Sequence, residues 1–462
     1  MSRLPRIHHG ARAIAGPLLY VPHTEGAALG EWASIEVPGQ PARRGQVIEV
    51  GREVSVVQVL EETVGLSPAR VKLTLRGEQA AAPVGRELLG RVLSGSGQPL
   101  DDLPAPVGDA SRPIFGAPLN PSRRSKLADF IETGLSAIDG MNTLVRGQKL
   151  PVFSGSGLPG LELAAQIVEG ARAAGDEPFA VIFAGIGITE RETGLFADRL
   201  ATSEAAERSV LFLNRAGDPA IERLLAPRLA LTTAEYLAFE QGMHVLVVMC
   251  DMTHYCDALR EIGAAREEIP GRRGYPGYMY TDLATLFERA GVLRDGSGSL
   301  TQIPILSMPD DDITHPIPDL TGYITEGQIV LGRELHRAGV FPPIDVLPSL
   351  SRVMNSGIGE GRTVPVHRDW SDQLYAIYAL GRDARLTAGI VGESGLSDTD
   401  RRALEFAARF ERELVHQGTH RRDLDETFEI GWRLLEALPR ADLSRLGDAA
   451  WAWRREHGGA ES

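Results

Sequence analysis

Residues 150–160 read Leu150-Pro151-Val152-Phe153-Ser154-Gly155-Ser156-Gly157-Leu158-Pro159-Gly160. They form an apolar run and then a glycine- and serine-rich turn, and a helical pattern follows over residues 161–174. A strand, a glycine-rich loop and a helix in this order are typical of a phosphate-binding loop. The segment therefore predicts a nucleotide-type α/β fold.

The same loop lacks the side chains that hold a magnesium nucleotide. A working loop reads G-x-x-x-x-G-K-[ST], where backbone N–H groups cradle the phosphates, the lysine reaches them and the hydroxyl holds Mg²⁺. With Gly157 as the last glycine, Val152 takes the first glycine position, Leu158 the lysine position and Pro159 the hydroxyl position. The sequence predicts a nucleotide fold that does not hydrolyse at its own loop.

Three kinds of pattern follow one another along the chain. Short β-patterns separated by turn residues predict a small barrel or sandwich at 34–37, 47–50, 54–59 and 71–75. Aliphatic runs then alternate with helical patterns, which predicts a mostly parallel sheet with helices on both faces. The runs are at 179–184, 210–213, 245–250 and 303–306, and the helical patterns at 161–174, 194–207, 234–241, 254–265 and 282–290. From about residue 369 the pattern is helical, with Ser397 and Asp398 as a cap.

Between the barrel and the sheet, residues 76–125 are rich in glycine and proline. The run Ser94-Gly95-Ser96-Gly97 looks like a second phosphate loop, but it leads into prolines and not into a helix. We therefore interpret it as turns joining two domains. The predicted domains are residues 1–75, 76–355 and 356–462.

Composition narrows the class of protein. A chain of 462 residues with 43% hydrophobic residues predicts roughly three domains. Cys250 and Cys256 are the two cysteines, and their spacing fits buried small side chains in a reducing cytosol better than a zinc pair or a disulfide framework. No signal peptide or run of about 18 apolar residues is recognised, so any membrane role is expected to come through partners. The net charge of −14 disfavours nucleic-acid binding.

Four polar residues are candidate site residues. Asp251 follows a buried strand, where related folds place a carboxylate near Mg²⁺, although an aspartate there also caps the next helix. Glu190 and Glu192 are candidate bases, but the first turn of a helix explains them more simply. Arg352 lies between apolar stretches and before three glycines, where a guanidinium would be held rigidly and would bind phosphate bidentately.

A series of segments resembles one family closely, the non-catalytic B subunits, called beta chains in bacteria, of V-type and A-type rotary ATPases. The resemblance covers nearly the whole chain, apart from the first dozen residues and the C-terminal tail. The matching segments are residues 142–151, the degenerate loop 154–159, and residues 226–240, 251–261, 267–283, 308–312 and 322–328.

The resemblance implies a β-barrel, a RecA-like α/β core and a C-terminal helical bundle. It implies an alternating A₃B₃ ring with catalytic A subunits, around a central rotor stalk and with peripheral stalk subunits, on the cytoplasmic face of a membrane. In the catalytic relatives a lysine and a threonine stand at Leu158 and Pro159, and the catalytic glutamate falls on Ile188. Arg352 matches the arginine finger that enters the neighbour's site.

Cofactor and site predictions follow from this resemblance. ATP or ADP with Mg²⁺ is expected at the A–B interface, held mainly by the A subunit, and Arg352 acts there in trans. Gly155, Ser156, Gly157 and Asp251 are the candidate residues of a degenerate nucleotide site in this chain, with no metal ligand predicted. The complex would couple ATP synthesis or hydrolysis to proton or sodium transport.

Three other interpretations stay open. The chain could be a catalytic relative with an unusual loop, which ATP turnover by the single chain would reveal. It could be a RecA-like or transcription-termination motor, which would need a loop lysine and a cationic track. It could also be a purely structural ring subunit, in which Arg352 has no catalytic part.

Overall fold

A computed structural model of the chain describes residues 5–173, 175, 177–201, 203–296 and 298–457, without the side chain of residue 201. The N-terminal part of the chain is a β-sheet whose inward-facing side chains are mostly aliphatic. Its strands are β1 (Arg6–His9), β2 (Ala13–Ala15), β3 (Leu18–Pro22), β4 (Glu31–Glu36), β5 (Arg43–Val50), β6 (Val54–Val59) and β7 (Lys72–Gln79).

Within the described residues these strands form one seven-stranded antiparallel sheet in the order β1-β7-β4-β5-β6-β3-β2. Inward residues alternate with outward ones along β4, and Leu19, Ile35, Val57 and Leu73 are fully buried. The four predicted β-segments are confirmed. The sheet also includes β1, β2 and β3, for which no separate segment was predicted.

The turn predicted at Ser94–Gly97 is confirmed, but the glycine- and proline-rich passage 76–125 also contains strands that the sequence analysis did not predict. The passage contains β8 (Ala81–Val84), β9 (Val92–Ser94) and β10 (Ala110–Pro113). Strand β9 pairs in parallel with a strand of the central sheet and completes its edge, with the side chain of Leu93 buried. The turn after Ser94 leads into no helix, as expected.

The central sheet carries the candidate site. Its strands and their small neighbours are β11 (Phe130–Glu132), β12 (Leu144–Val145), β13 (Val152–Gly155), β14 (Arg172–Ala173), β15 (Phe179–Ile188), β16 (Ser209–Arg215), β17 (His244–Cys250), β18 (Gly291–Val292), β19 (Ser299–Met308), β20 (Gly327–Leu331) and β21 (Ile344–Ser351). Within the described part of the chain the sheet has nine strands in the order β21-β20-β13-β19-β17-β15-β16-β9, with β18 beside β19. From β20 to β9 all neighbours are parallel, which confirms the predicted sheet, whereas β21 and β18 are antiparallel.

Helices cover both faces of this sheet. They are α1 (Ser136–Asp139), α2 (Gly160–Gly170), α3 (Glu190–Ala201), α4 (Ala220–Phe239), α5 (Met252–Ala265), α6 (Met279–Phe287), α7 (Pro316–Ile324), α8 (Arg333–Arg337) and α9 (Met354–Gly357). The prediction for α4 was too short, because it began at residue 234. Most of α4 is buried, including Pro227, so its sequence lacks the polar face from which a helix is recognised. The predicted helix over residues 161–174 was too long, because α2 ends at Gly170 and Arg172–Ala173 form β14. Residue 174 itself lies outside the described residues.

The C-terminal region is helical, as predicted. It consists of α10 (His367–Val391), α11 (Asp398–Arg409), a π-helical continuation (Phe410–Val415), α12 (Leu424–Glu436) and α13 (Asp448–His457). Ser397 caps α11 by accepting from the Asp400 N–H at 3.1 Å. Phe406, Phe410 and Leu414, which are spaced four residues apart, are buried and form the apolar face of this segment. Short 3₁₀ turns occur at Pro68–Arg70, Arg86–Leu88, Pro121–Arg123, Ala206–Arg208, Arg272–Gly274, Pro309–Asp311, Glu393–Gly395 and Arg440–Asp442.

Among the residues that the structure describes, none of the helices combines the length and the apolar character needed to cross a bilayer. The two cysteines are unpaired and buried, and burial raises the pKa of both thiols well above the ordinary value. Their interpretation as small core side chains is confirmed.

Candidate functional site

The two parts of the candidate site, the loop after β13 and Arg352, lie at opposite edges of the central sheet, where the parallel strands end and where they begin. Gly155 ends β13 at the carboxyl edge, where parallel sheets bind their ligands. Arg352 follows the antiparallel strand β21, whose last residue, Ser351, pairs with Gly327 at the beginning of β20. Phe153 pairs with Val330, so Gly155 is level with position 332, five positions beyond Gly327. At about 3.3 Å per residue, the two edges are roughly 16 Å apart.

Two backbone N–H groups of the loop after β13 are engaged within its own turn. The N–H of Leu158 donates to the Gly155 carbonyl at 3.0 Å, and the N–H of Gly160 donates to the Leu158 carbonyl at 2.8 Å. Pro159 has no N–H to offer. Residues 158–160 therefore offer no free backbone donor to a phosphate.

The structure favours a register of the loop motif two residues later than the sequence suggests. Val152 lies inside β13 and is paired on both sides, whereas the loop motif should begin where the strand ends. Counting from Ser154 puts Pro159 at the last glycine, Gly160 at the lysine and Leu161 at the hydroxyl position. Neither register supplies a cation or a hydroxyl, so the predicted loss holds in both.

The ion pair between Arg333 and Asp311 holds the start of the same loop. Arg333 donates to both carboxylate oxygens of Asp311 at 2.7 and 2.8 Å and to the Ser156 carbonyl at 2.9 Å. Its hydrogen bonds, together with one from the Ser156 backbone, hold the pKa of Asp311 below the ordinary value. A side chain at Gly155 would collide with the Asp311 carboxylate. The glycine is therefore explained by this internal contact as well as by the loop motif.

Asp251 serves as a helix cap. Its carboxylate accepts from the N–H of Thr253 at 2.7 Å and from the N–H of Ser307 at 3.1 Å. The first bond caps α5 and the second joins the ends of two neighbouring strands. These contacts account for a buried aspartate at this position without a metal.

At the end of β15 and just after it, the position of the catalytic glutamate is apolar and the two glutamates have structural partners. Ile188, the position of the catalytic glutamate in the resemblance, is 4% exposed and packs in the core. Glu192 accepts from the N–H of Thr189 at 2.7 Å, and Thr189 Oγ1 accepts from the N–H of Glu192 at 3.2 Å. This reciprocal pair is a capping box, as the interpretation of a helix first turn expects. Glu190 lies 3.2 Å from Arg215 in an ion pair.

Arg352 presents its charge to the outside of the chain. It is exposed, and its guanidinium donates to the Thr325 carbonyl at 3.3 Å. Within the described residues no carboxylate lies at ion-pair distance from it. It lines an open cleft of about 500 Å³ together with Arg368, Asp372 and Tyr375. A cation without an internal counter-ion in an open cleft is suited to an anionic group on another molecule.

Sequence reasoning gave no role to the residues that hold Arg352 in place. Gln148, Lys149 and Glu326 are within segments that carry the resemblance, but their contacts join parts of the chain far apart in sequence. The Lys149 ammonium, 3% exposed, lies 2.9 Å from Glu288 and 2.8 Å from Glu326. The sequence signal that could have identified these residues is a polar run, Arg146-Gly147-Gln148-Lys149, shortly before a buried strand.

Comparisons with known proteins agree with this architecture. The model of the ATP synthase alpha/beta family nucleotide-binding domain matches residues 134–351. The beta-barrel domain of the same family matches residues 12–72, and the C-terminal domain of V and A type ATP synthase matches residues 356–453. The chain thus has the three parts of an ATP synthase alpha/beta-type subunit.

Individual relatives define the type of ATP synthase subunit more narrowly. The chain is 59% identical over 458 residues to the V-type ATP synthase beta chain of Anaeromyxobacter sp. (strain Fw109-5), covering 99% of this chain and 100% of that protein. It is 56% identical over 454 residues to the V-type ATP synthase beta chain of Thermus thermophilus, covering 96% and 95%. Among solved structures, the ATP synthase subunit NeqB from Nanoarcheaum equitans is similar, with a TM-score of 0.73, 39% identity and coverage of 92% and 100%. The chain belongs to the V-type ATP synthase beta chain family.

Proposed function

We propose that the chain is the non-catalytic B subunit of a rotary ATPase and that Arg352 acts as an arginine finger on a neighbouring catalytic A subunit. Three such chains alternate with three A subunits in an A₃B₃ ring. The A subunit holds most of the nucleotide and its Mg²⁺, so this chain contributes to hydrolysis or synthesis in trans.

The position of Arg352 carries this proposal. It lies at the edge of the sheet opposite to the chain's own loop, roughly 16 Å away along the strands. An arginine side chain does not span that distance, so Arg352 cannot serve its own loop. That loop itself has no cation at the lysine position in either register, and the N–H groups of Leu158 and Gly160 are engaged in its own turn. A chain with a disabled loop and an exposed, uncompensated guanidinium is suited to act on another chain's phosphate.

The chemical role of such a guanidinium is electrostatic. Charge spreads over the phosphoryl oxygens in the transition state, and a positioned arginine stabilises it without covalent chemistry. Fingers of this kind supply roughly 10³- to 10⁵-fold in rate, or about 4–7 kcal/mol of barrier. Nucleotide-dependent closing of the interface would then couple the chemistry to the central rotor stalk and, through the membrane sector, to proton or sodium transport.

The substitution Arg352→Ala tests the proposal in the reconstituted ring. We expect assembly to be unchanged and ATPase turnover to fall at least 10³-fold, measured by a coupled phosphate-release assay. Arg337→Ala, which removes another exposed arginine from α8, is the control and should retain normal turnover. A fully active Arg352→Ala ring would reject the role of Arg352 and leave the purely structural ring subunit as the better description.

The remaining assignments follow from the same proposal. As part of the V₁ or A₁ sector the chain would lie on the cytoplasmic face of a membrane, with contacts to the rotor stalk and the peripheral stalk. The domain limits after residues 75 and 355 stay predictions. A single-chain catalytic ATPase is disfavoured by Ile188 and by the closed loop.

A further inference from the structure

Arg352 is attached to the sheet by a small buried network around Gln148. Gln148 is fully buried and lies four residues before β13. Its backbone is fixed on both sides, because its N–H donates to the Val145 carbonyl at 3.0 Å and its carbonyl accepts from the Gln302 N–H at 2.9 Å. The side chain therefore starts from a rigid part of the sheet.

The amide of Gln148 reaches both strands that flank the arginine. Its Nε2 donates to the Ser351 hydroxyl at 3.0 Å and to the Glu326 carbonyl at 3.1 Å. Its Oε1 accepts from the Val145 N–H at 2.9 Å. One buried side chain thus joins the residue before Arg352 to the residue before β20.

The same two partners determine where Arg352 stands. The Arg352 N–H donates to the Glu326 carbonyl at 3.0 Å, and the adjacent Thr325 carbonyl accepts from the guanidinium. The Ser351 hydroxyl donates in turn to the Thr143 carbonyl at 3.0 Å. If Gln148 loses its amide, the Glu326 carbonyl keeps the Arg352 N–H and Ser351 keeps its pairing with Gly327. The Ser351 hydroxyl and the Glu326 carbonyl each lose one hydrogen bond, so the turn before β20 can shift.

We propose that Gln148 is a positioning residue for Arg352, holding the guanidinium at the height and angle at which it meets the neighbour's phosphate. The inference rests on the proposed function of Arg352 and adds to it the element that fixes the geometry. Placement errors of about 1 Å cost roughly 100-fold in rate when a group acts on a transition state. Gln148 touches no substrate and acts only through Ser351, Glu326 and Arg352.

The test is a double-mutant cycle in the reconstituted ring. Gln148→Leu keeps the size of the side chain and removes its hydrogen bonds. We expect kcat for ATP to fall about 10- to 100-fold with KM unchanged within about twofold. In the Arg352→Ala background the same substitution should change the residual rate little, because the group that it positions is gone.

A matched control and a rescue separate positioning from general damage. Gln417 is also buried and donates to the Gly134 and His420 carbonyls at 2.8 and 2.7 Å, far from Arg352 along the chain. Gln417→Leu should leave kcat of the assembled ring near normal. Ser351→Ala should reduce kcat and Ser351→Thr, which keeps the hydroxyl, should restore it, so the question is still answered if Gln148→Leu fails to fold.

Each outcome decides between the two claims. If Arg352→Ala abolishes turnover but Gln148→Leu and Ser351→Ala do not reduce kcat, the positioning role is wrong and the finger stands. An equal fall of kcat on adding Gln148→Leu to the Arg352→Ala background also overturns the positioning role. A normal Arg352→Ala ring removes the proposed function and the positioning role with it.

Discussion

The burial of one imidazole, that of His367, makes the stability of this chain depend on pH. His367 opens α10, donates from Nε2 to the Gly140 carbonyl at 2.9 Å and contacts Trp370 and Phe428 edge-on. Burial lowers its pKa to about 4 from an ordinary 6.5, because a charged imidazolium would be desolvated there. The folded chain therefore holds a neutral histidine that joins the helical region to the segment before the sheet.

The pH dependence follows from this shift. Between pH 4 and 6.5 the unfolded chain binds the proton and the folded chain does not, so the stabilisation is complete above about pH 6.5 and is lost as the pH falls towards 4. For a group shifted this far, the loss is about 3 kcal/mol. Urea unfolding at pH 7 and pH 4.5 should show that His367→Gln flattens this dependence, whereas His420→Gln, at an exposed position, should not. An unaltered slope in the first variant would contradict the assignment.

At the scale of elements, the pairing of β20 with β21 sets the edge from which Arg352 projects. The two strands approach closely at Gly327, which pairs with Ser351 and has φ +142. A Cβ there would collide with the Leu350 carbonyl, so the pairing needs a glycine both for space and for backbone conformation. Since Glu326 and Thr325 hold Arg352, the geometry of this strand pair determines where the arginine lies.

Gly327→Ala should therefore harm both stability and turnover. We expect a loss of about 3 kcal/mol in the free energy of unfolding, from strain and from the backbone clash. Any ring that still assembles should also show a lower kcat. Gly217→Ala, where a new Cβ meets nothing within 4 Å, serves as the control and should be close to neutral. Thermal or urea unfolding of the two variants measures this difference in stability. Equal stability of both variants would contradict the close approach of the Leu350 carbonyl to Gly327.

At the scale of the whole molecule, the sheet separates the degenerate phosphate loop from Arg352. The carboxyl edge carries a loop closed by its own hydrogen bonds and by the Asp311–Arg333 pair. The opposite edge carries the exposed guanidinium of Arg352. One copy therefore cannot bring its arginine to its own loop, and this separation supports the proposed ring of alternating chains.

This arrangement predicts that the purified chain alone hydrolyses no ATP. Turnover should appear only with a larger partner that contains an intact G-x-x-x-x-G-K-[ST] loop and co-purifies in equal amounts. Restoring the side chains with Gly160→Lys and Leu161→Thr should still give no ATPase in the single chain, because Pro159 and Ile188 remain. Phosphate release by the isolated chain, wild type or variant, would show that the loop is not closed.

The sequence by itself determined the order of the three regions, the aliphatic strands of the sheet and the missing cation of the loop. These follow from local patterns: alternation in the barrel, continuous apolar runs in a sheet buried on both faces, and the identity of single residues. It gave the wrong extent for α4, since a helix buried all round has no polar face, and it missed β9, which joins the sheet only through long-range pairing.

Only the tertiary structure decided how the site is built. The register of the loop depends on where β13 ends and α2 begins, and neither boundary is marked by a local signal. The network of Gln148 joins residues about 200 positions apart in sequence, as the bond from Gln148 to Ser351 does. The placement of Arg352 at the edge opposite to the loop depends on β21 running antiparallel to β20. Strand direction and long-range hydrogen bonds arise when distant segments pack together, so a pattern read along the chain does not contain them.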